Sequence, residues 1–293
     1  VGYAAGVRAY RDAVASLDVS DLTEHYTRGL GWFHDTFAPR VRDTLTALTG
    51  GAWDLSSHDL FAAGSDVDLM AHVVESAHLH DQPVRVFPGD WYGFRVGSSR
   101  PERVVFSDDA HGSLACACLP SVRNGHVTRE LVSFLRGAEL RLLNINLFPT
   151  LAPAERRAVA AELADLLPRS LVSVSFSRGF GLTASQLGVL LAPRDHLWTE
   201  RARTQLDWFT YFHNALAARA FARLDLDELA RVDALRREEV SAWLRARGLP
   251  VVETGSYYVR SFRVDGDVPP HLAPLARDGV VRLCFKPAAV GDR

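Results

Sequence analysis

The sequence predicts an α/β protein, a three-layer sandwich around a mainly parallel sheet, followed by a small C-terminal α+β lobe. Three observations predict it. Through the first two hundred residues, short apolar runs alternate with longer stretches of helical spacing. The 293 residues are 47% hydrophobic, enough to cover such a sheet on both faces. Beyond that point the pattern changes to two long helices, then strand, short helix and strand. We therefore expect a large, shortened α/β domain over residues 1–200 and a small domain over 201–293.

The elements follow in order. Residues 35–48 carry Phe37, Val41, Leu45 and Leu48 at helical spacing and stop at Gly50-Gly51. A helix over 67–78 opens behind Gly64-Ser65-Asp66, where Ser65 or Asp66 can cap the first free amides. Strands follow at 84–87, ended by Pro88-Gly89, and at 103–106. Residues 128–136 read as a helix and 140–147 as a buried strand stopped by Pro149. The helix over 153–167 has Pro in its first turn. The β-branched run 171–176 fits a central strand, and 187–191 is the next. Long helices over 194–224 and 226–247 separate near Asp225 and close at Gly248-Leu249-Pro250. The end reads as a strand over 257–264, a Pro-rich turn, a short helix around 271–276 and a strand over 280–285.

Composition narrows the function. The 33 basic residues nearly cancel 35 acidic ones, a net charge of -2, so no general attraction to nucleic acid or anionic membranes is expected. No apolar run approaches the roughly 20 residues of a membrane helix, and no signal-peptide pattern opens the sequence. Cys116, Cys118 and Cys284 have no framework spacing and read as reduced core residues of a cytoplasmic protein. A single basic residue, Lys286, is lysine and the other 32 are arginine. Amine nucleophile chemistry is thereby confined to Lys286 or the amino terminus.

In sheets of this kind ligands sit beyond the carboxyl ends of the strands. Four segments are expected there. Gly64-Ser65-Asp66 starts a helix, where free amides and the helix dipole attract an anion. Trp91-Tyr92, in a Gly/Pro-rich loop, can stack on a planar ring. Ser175-Phe176-Ser177-Arg178-Gly179-Phe180-Gly181-Leu182 joins two strands through small residues and one cation. Arg282 stands in the apolar run Val280-Val281-Arg282-Leu283-Cys284, where a carboxylate is its natural partner, from a ligand or from the chain itself. Asp108, Asp109 and His111 form a polar turn able to supply acid–base groups or simple turn chemistry. His72, His78 and His80 cluster at a helix end, but His72 and His78 do not share a face, and no metal site is expected.

Taken in order, these segments resemble the fold-type I, pyridoxal-phosphate-dependent aminotransferases of the aspartate aminotransferase kind. Residues 175–182 resemble that family's Ser-x-Ser-Lys-x-x-Gly-Leu loop, and Gln186-Leu187-Gly188 stands where the family has Arg-x-Gly. The resemblance implies a phosphate cup at Gly64, Ser65 and Asp66, with Ser175 and Ser177 as further cofactor-binding residues. It implies ring stacking by Trp91 or Tyr92 and a carboxylate grip by Arg282. It also implies a PLP-transferase-like sandwich and a site formed in a homodimer. The sequence departs from the pattern in three places. Arg178 stands at the Schiff-base lysine, and a guanidinium is not a useful nucleophile. Gln186 replaces the phosphate-gripping Arg. Residues 143–149 fall about where the family places its pyridine-pairing Asp, yet offer Asn144 and Asn146.

The expectation is thus a repurposed aminotransferase fold that acts on an amino acid or related carboxylate in specialised metabolism. No covalent cofactor is expected, with non-covalent pyridoxal phosphate or another cofactor left open. Arg178 would serve as an anion-binding or electrostatic group, Asp108 and His111 as acid–base groups, and Arg282, Trp91, Tyr92 and Asn146 would bind substrate. Two alternatives stand beside it: a conventional pyridoxal-phosphate enzyme with Lys286 as substitute, and a non-catalytic partner of an active paralogue.

Overall fold

A computed structural model describes residues 4–18, 20, 31–182, 187–194, 196, 199, 202–203, 210–251, 254–264, 266–277 and 280–285. Its large sheet contains β1 (His58–Ala63), β2 (Val84–Val86), β3 (Val104–Phe106), β4 (Leu114–Cys118), β5 (Leu140–Asn144), β6 (Ser170–Ser175) and β7 (Gly188–Pro193). The spatial order is β1-β7-β6-β5-β4-β2-β3. The strands from β6 to β3 pair in parallel, and only β7 runs against both its neighbours. Parallel neighbours need crossovers, and these carry α4 (Gly93–Val96), α5 (Arg129–Gly137) and α6 (Pro153–Leu163), while α3 (Asp66–Leu79) leads from β1 at one edge to β2. Before β1 come α1 (Ala4–Ala15) and α2 (Ala38–Leu48).

Strand alternation divides the apolar residues between two cores. Leu140 and Leu142 join Val84, Val86 and Cys116 on one face, packed on α3 through Leu69, Met70 and Val73. Leu143 joins Val172, Val174 and Val189 on the other, under α2, α5 and α6. Helix starts follow their caps: Ser65 accepts from the Asp68 amide at 3.2 Å, and Thr128 from the Leu131 amide at 3.3 Å. The expected three-layer α/β sandwich is therefore the observed one.

The C-terminal region contains α7 (Thr210–Ala222), α8 (Leu226–Arg245) and an antiparallel sheet in the order β8 (Val259–Arg263), β10 (Val280–Cys284), β9 (Ala276–Arg277). The helices after residue 200 pack in part on the large core. Ala217, Ala218, Phe221 and Leu224 of the α7 region, and Leu229 of α8, lie in the large core. Val240 and Leu244 of α8 instead pack with Tyr257, Val281 and Leu283. One 20-residue helix, roughly 30 Å long, thus spans both cores, and the small lobe's own core begins in its second half.

Polar contacts seam the lobes. Arg237 of α8 donates to the carbonyls of Gly255 and Thr150 at 2.9 and 2.5 Å. Glu155 of α6 accepts the Gly255 amide, and the Thr150 and Ser256 hydroxyls pair at 2.6 Å. The Tyr257 hydroxyl donates to Asp233 at 2.5 Å. Burial pushes the Asp233 carboxyl up to about 7, against the pull of Tyr257, Arg156 and Arg237.

Candidate functional site

At the carboxyl ends of the parallel strands lies a cavity of about 130 Å³, lined by Asp66, Val67, Trp91, Cys118, Val122, Asn144, Asn146, Leu147, Ser177 and Arg178. Each wall residue follows or ends a strand. Cys118 and Asn144 are the last residues of β4 and β5. Trp91 follows β2, Val122 follows β4, Asn146 and Leu147 follow β5, and Ser177 and Arg178 follow β6. Asp66 is the first residue of α3.

The loop after β6 is aimed by its phenylalanine. Phe176 is buried with Phe37, Phe180 and Phe221, stacking on Phe221 at 4.1 Å between centroids. With Phe176 turned into the core, Ser177 and Arg178 reach the cavity. A methyl at Gly179 would lie 2.7 Å from the Asn146 carbonyl oxygen and 2.7 Å from Pro149, so only glycine lets this loop rest on the β5 turn. Among the described residues Arg178 has no hydrogen bond or ion pair, and its guanidinium stands 6.0 Å over the Tyr258 ring.

The same cavity is also lined by a buried carboxylate. Asp66 is 8% exposed, and its Oδ2 accepts from the side-chain amides of Asn144, at 3.4 Å, and Asn146. Backbone donors set the orientation of both amides. Asn146 Oδ1 accepts the Ser175 amide at 2.6 Å, and Asn144 Oδ1 accepts the Asn146 amide at 3.1 Å. Both NH₂ groups therefore point at Asp66. Among the described residues no cation pairs with Asp66.

Behind the wall sits Asp90. Its carboxylate accepts the backbone amides of Trp91 and Cys118, each at 2.8 Å, and of Val122 at 3.4 Å. All three are wall residues, so one side chain ties the segment after β2 to the end of β4 and the loop that follows it. Burial raises the Asp90 carboxyl to about 6, against those hydrogen bonds. Burial, with Asp90 and then Asp66 nearby, holds the Cys118 thiol far above its usual range, which makes it inert packing rather than a nucleophile.

The site residues expected from the sequence divide. Asp66, Trp91, Asn146, Ser177 and Arg178 are brought together. Ser175 lies just behind them, its hydroxyl 2.9 Å from that of Ser177. Gly64 and Ser65 do not line the cavity, since Ser65 turns back to cap α3. Tyr92 is 68% exposed and points away from it. Asp108 and His111 are not brought in either. Both are exposed, and His111 bridges Ala138, at the end of β4 and β5 opposite the cavity. Their turn is local chemistry, with the Asp109 carboxylate accepting the His111 amide at 2.9 Å.

Arg282 needs a correction as well. Val281 and Leu283 point inward, so Arg282 falls on the exposed face of β10 and carries no burial cost. Its Nη1 donates to the Val122 carbonyl at 3.0 Å, and Ser261, its partner on β8, donates to the Arg123 carbonyl at 2.7 Å. It braces a cavity wall and does not line the cavity. Cys284, expected in the core, is exposed. Gln186 and Lys286 lie outside the described residues. The sequence reading missed Asp90, Cys118, Val122 and Tyr258. An acidic residue directly before the aromatic pair was the available signal for Asp90.

No protein-family model matches the chain, and no curated protein matches it by sequence. Solved structures match by shape. An Erwinia carotovora atroseptica protein assigned as a histidinol-phosphate aminotransferase is similar with TM-score 0.64 and 9% identity, over 96% of this chain and 87% of that one. L,L-diaminopimelate aminotransferase from Chlamydomonas reinhardtii is similar with TM-score 0.59 and 14% identity, over 79% and 67%. Histidinol-phosphate aminotransferase from Sinorhizobium meliloti, solved with pyridoxal-5'-phosphate, is similar with TM-score 0.55 and 17% identity, over 88% and 71%. Identities this low carry the architecture and not the residue roles. The chain has the fold of the fold-type I aminotransferases. Among the described residues no helix is long and apolar enough to cross a membrane.

Proposed function

We propose that this aminotransferase-fold protein handles an amino acid or related carboxylate without a covalent link to pyridoxal phosphate. The observation that carries the reading is Arg178, the one guanidinium on the wall of a cavity at the strand ends, with no protein carboxylate of its own among the described residues. A planar, two-pronged donor suits a ligand carboxylate. By the loop resemblance, Arg178 occupies the place of the reactive lysine, which converts a covalent site into an electrostatic one. Trp91 supplies an apolar face beside it, and Asn144 and Asn146 supply fixed polarity. Arg282 and Asp90 act through the loops as positioning residues. The reading includes a homodimer, a cytoplasmic setting and a role in specialised metabolism, as the resemblance and the reduced thiols suggest.

When bound in a site of this fold, pyridoxal phosphate supplies an electron sink for bonds at the amino-acid α-carbon. This chain's own residues do something simpler. Arg178 orients a carboxylate, Trp91 excludes water from one face, and the Asn pair holds the Asp66 carboxylate in place. The test is titration calorimetry with L-alanine, L-glutamate and L-phenylalanine and with their 2-hydroxy acids, on wild type and Arg178→Ala. Carboxylate binding weakened about tenfold or more by the substitution supports the reading. Cofactor absorbance on the wild-type chain, fixed by borohydride to Lys286, overturns it.

A further inference from the structure

We propose that Asp66 makes this cavity a receptor for a positively charged amine and bars a phosphate from it; the inference rests on the carboxylate-binding reading of the same cavity. A carboxylate that is 92% buried normally pairs with a cation, because an isolated buried charge is costly. Asp66 has only the two amide donors of Asn144 and Asn146, both on Oδ2. Its other oxygen has no partner among the described residues and is left to the cavity that Asp66 lines. On the same wall Arg178 is a cation without a carboxylate. Among the described residues, the cavity thus presents one negative and one positive pole, neither neutralised by a charged partner. A zwitterionic α-amino acid completes both, its ammonium at Asp66 and its carboxylate at Arg178.

The same side chain disfavours phosphate. A phosphate at the start of α3 would draw on the free amides and the dipole of the helix. Here Ser65 already takes the Asp68 amide, and Asp66 and Asp68 place two negative groups in the first turn. The amides of Asn144 and Asn146, which could otherwise donate to an anion, are held by backbone donors in the orientation that serves Asp66. An anionic ligand group at that end meets a fixed carboxylate. The site therefore selects for an amine and against a phosphate monoester.

The experiment compares L-alanine, L-glutamate and L-phenylalanine with lactate, 2-hydroxyglutarate and phenyllactate by calorimetry on wild type and Asp66→Asn, with inorganic phosphate as the anion probe. The expected result is that wild type binds at least one amino acid about 10- to 100-fold tighter than its hydroxy acid. Asp66→Asn removes that gap while hydroxy-acid affinity stays or rises, and it binds phosphate more tightly than wild type does. Equal affinity of wild type for amino and hydroxy acids leaves the carboxylate site standing and overturns the role of Asp66. Phosphate binding stronger in wild type than in Asp66→Asn overturns it too. Failure of both ligand classes to bind removes the carboxylate site and this inference with it. The amino-against-hydroxy comparison on wild type decides the point even where the variant does not fold.

Discussion

Replacing Asp90 by Asn tests whether a buried carboxylate holds the cavity walls at an energetic cost that depends on pH. Its carboxyl is raised from 3.8 to about 6, with burial as the largest cause. A raised acid binds its proton more tightly in the folded than in the unfolded chain. The stabilisation this gives is therefore full below about pH 4 and is lost as pH rises through 6. The shift of about 2 units corresponds to about 3 kcal/mol in total. Of this, about 1 kcal/mol is already gone near about pH 4.5, and about 2 kcal/mol goes between there and about pH 7.5. Asn at position 90 has no such titration. It keeps one acceptor and sets an NH₂ against a backbone amide, most directly that of Cys118, which costs about 1–3 kcal/mol at every pH. Urea unfolding of both proteins at the two pH values isolates the effect, because every other titrating group cancels. The stability difference, wild type minus variant, should fall by about 2 kcal/mol from the lower pH to the higher. A difference that stays flat refutes the argument, since Asp90 would then be ionised throughout.

Three further outcomes follow from the packing. A methyl at Gly188 would lie 2.7 Å from the Asp66 backbone nitrogen and 3.0 Å from Leu69, so Gly188→Ala should cost about 1–3 kcal/mol in denaturant unfolding and weaken ligand binding by moving Asp66. Phe221→Ala removes the ring stacked 4.1 Å from Phe176 and should cost about 3–5 kcal/mol. Unchanged stability would mean that the aromatic cluster does not anchor the Arg178 loop. At the lobe seam, the Asp233 carboxyl is raised from 3.8 to about 7, so its stabilisation is full below about pH 4 and lost as pH rises through 7. Asp233→Asn should flatten that part of the thermal-melt pH profile, and an unaltered profile would exclude the assignment.

The parts legible in the sequence were those written in periodicity. Leu171 to Phe176 alternates strongly, and the same alternation that buries Phe176 presents Ser175 and Ser177 on the other side. Trp91 and Arg178 could be placed because they directly follow recognisable strands. Two strands gave too little signal. β1, His-Asp-Leu-Phe-Ala-Ala, has no β-branched residue, and β4, Leu-Ala-Cys-Ala-Cys, is built mostly of small residues that pack closely in the middle of the sheet. Arg282 was misplaced although the pattern held the answer: Val281 and Leu283 take the inward positions of period two, which leaves Arg282 outside. His111 was misplaced because a polar turn looks the same at either end of a sheet, and strand direction decides which end bears the site; Asp108 follows the edge strand β3 and is exposed. Asp66 was read as a capping residue and as part of a phosphate cup. Its unmatched charge became visible only when residues 78 and 80 positions away, Asn144 and Asn146, came into hydrogen-bonding range.

Under the proposed function, that long-range contact would let one architecture serve a second kind of chemistry. The strand ends of this sheet deliver side chains to a common point whatever those side chains are. The frame here depends on features indifferent to catalysis: Phe176 in its aromatic cluster, Gly179 against the β5 turn, Gly188 against α3, and Asp90 gathering three amides. None of them requires an amine at position 178 or an empty anion cup at 66. On the proposed reading, a guanidinium at 178 and a carboxylate at 66 leave the frame intact while changing the charges it displays. On that reading the site pairs with both ends of a zwitterion instead of attracting a phosphate and reacting through an amine. The frame and the charges are separable, so restoring Lys at 178 alone should leave a cavity that still repels phosphate, whereas Arg178→Lys combined with Asp66→Asn should admit it.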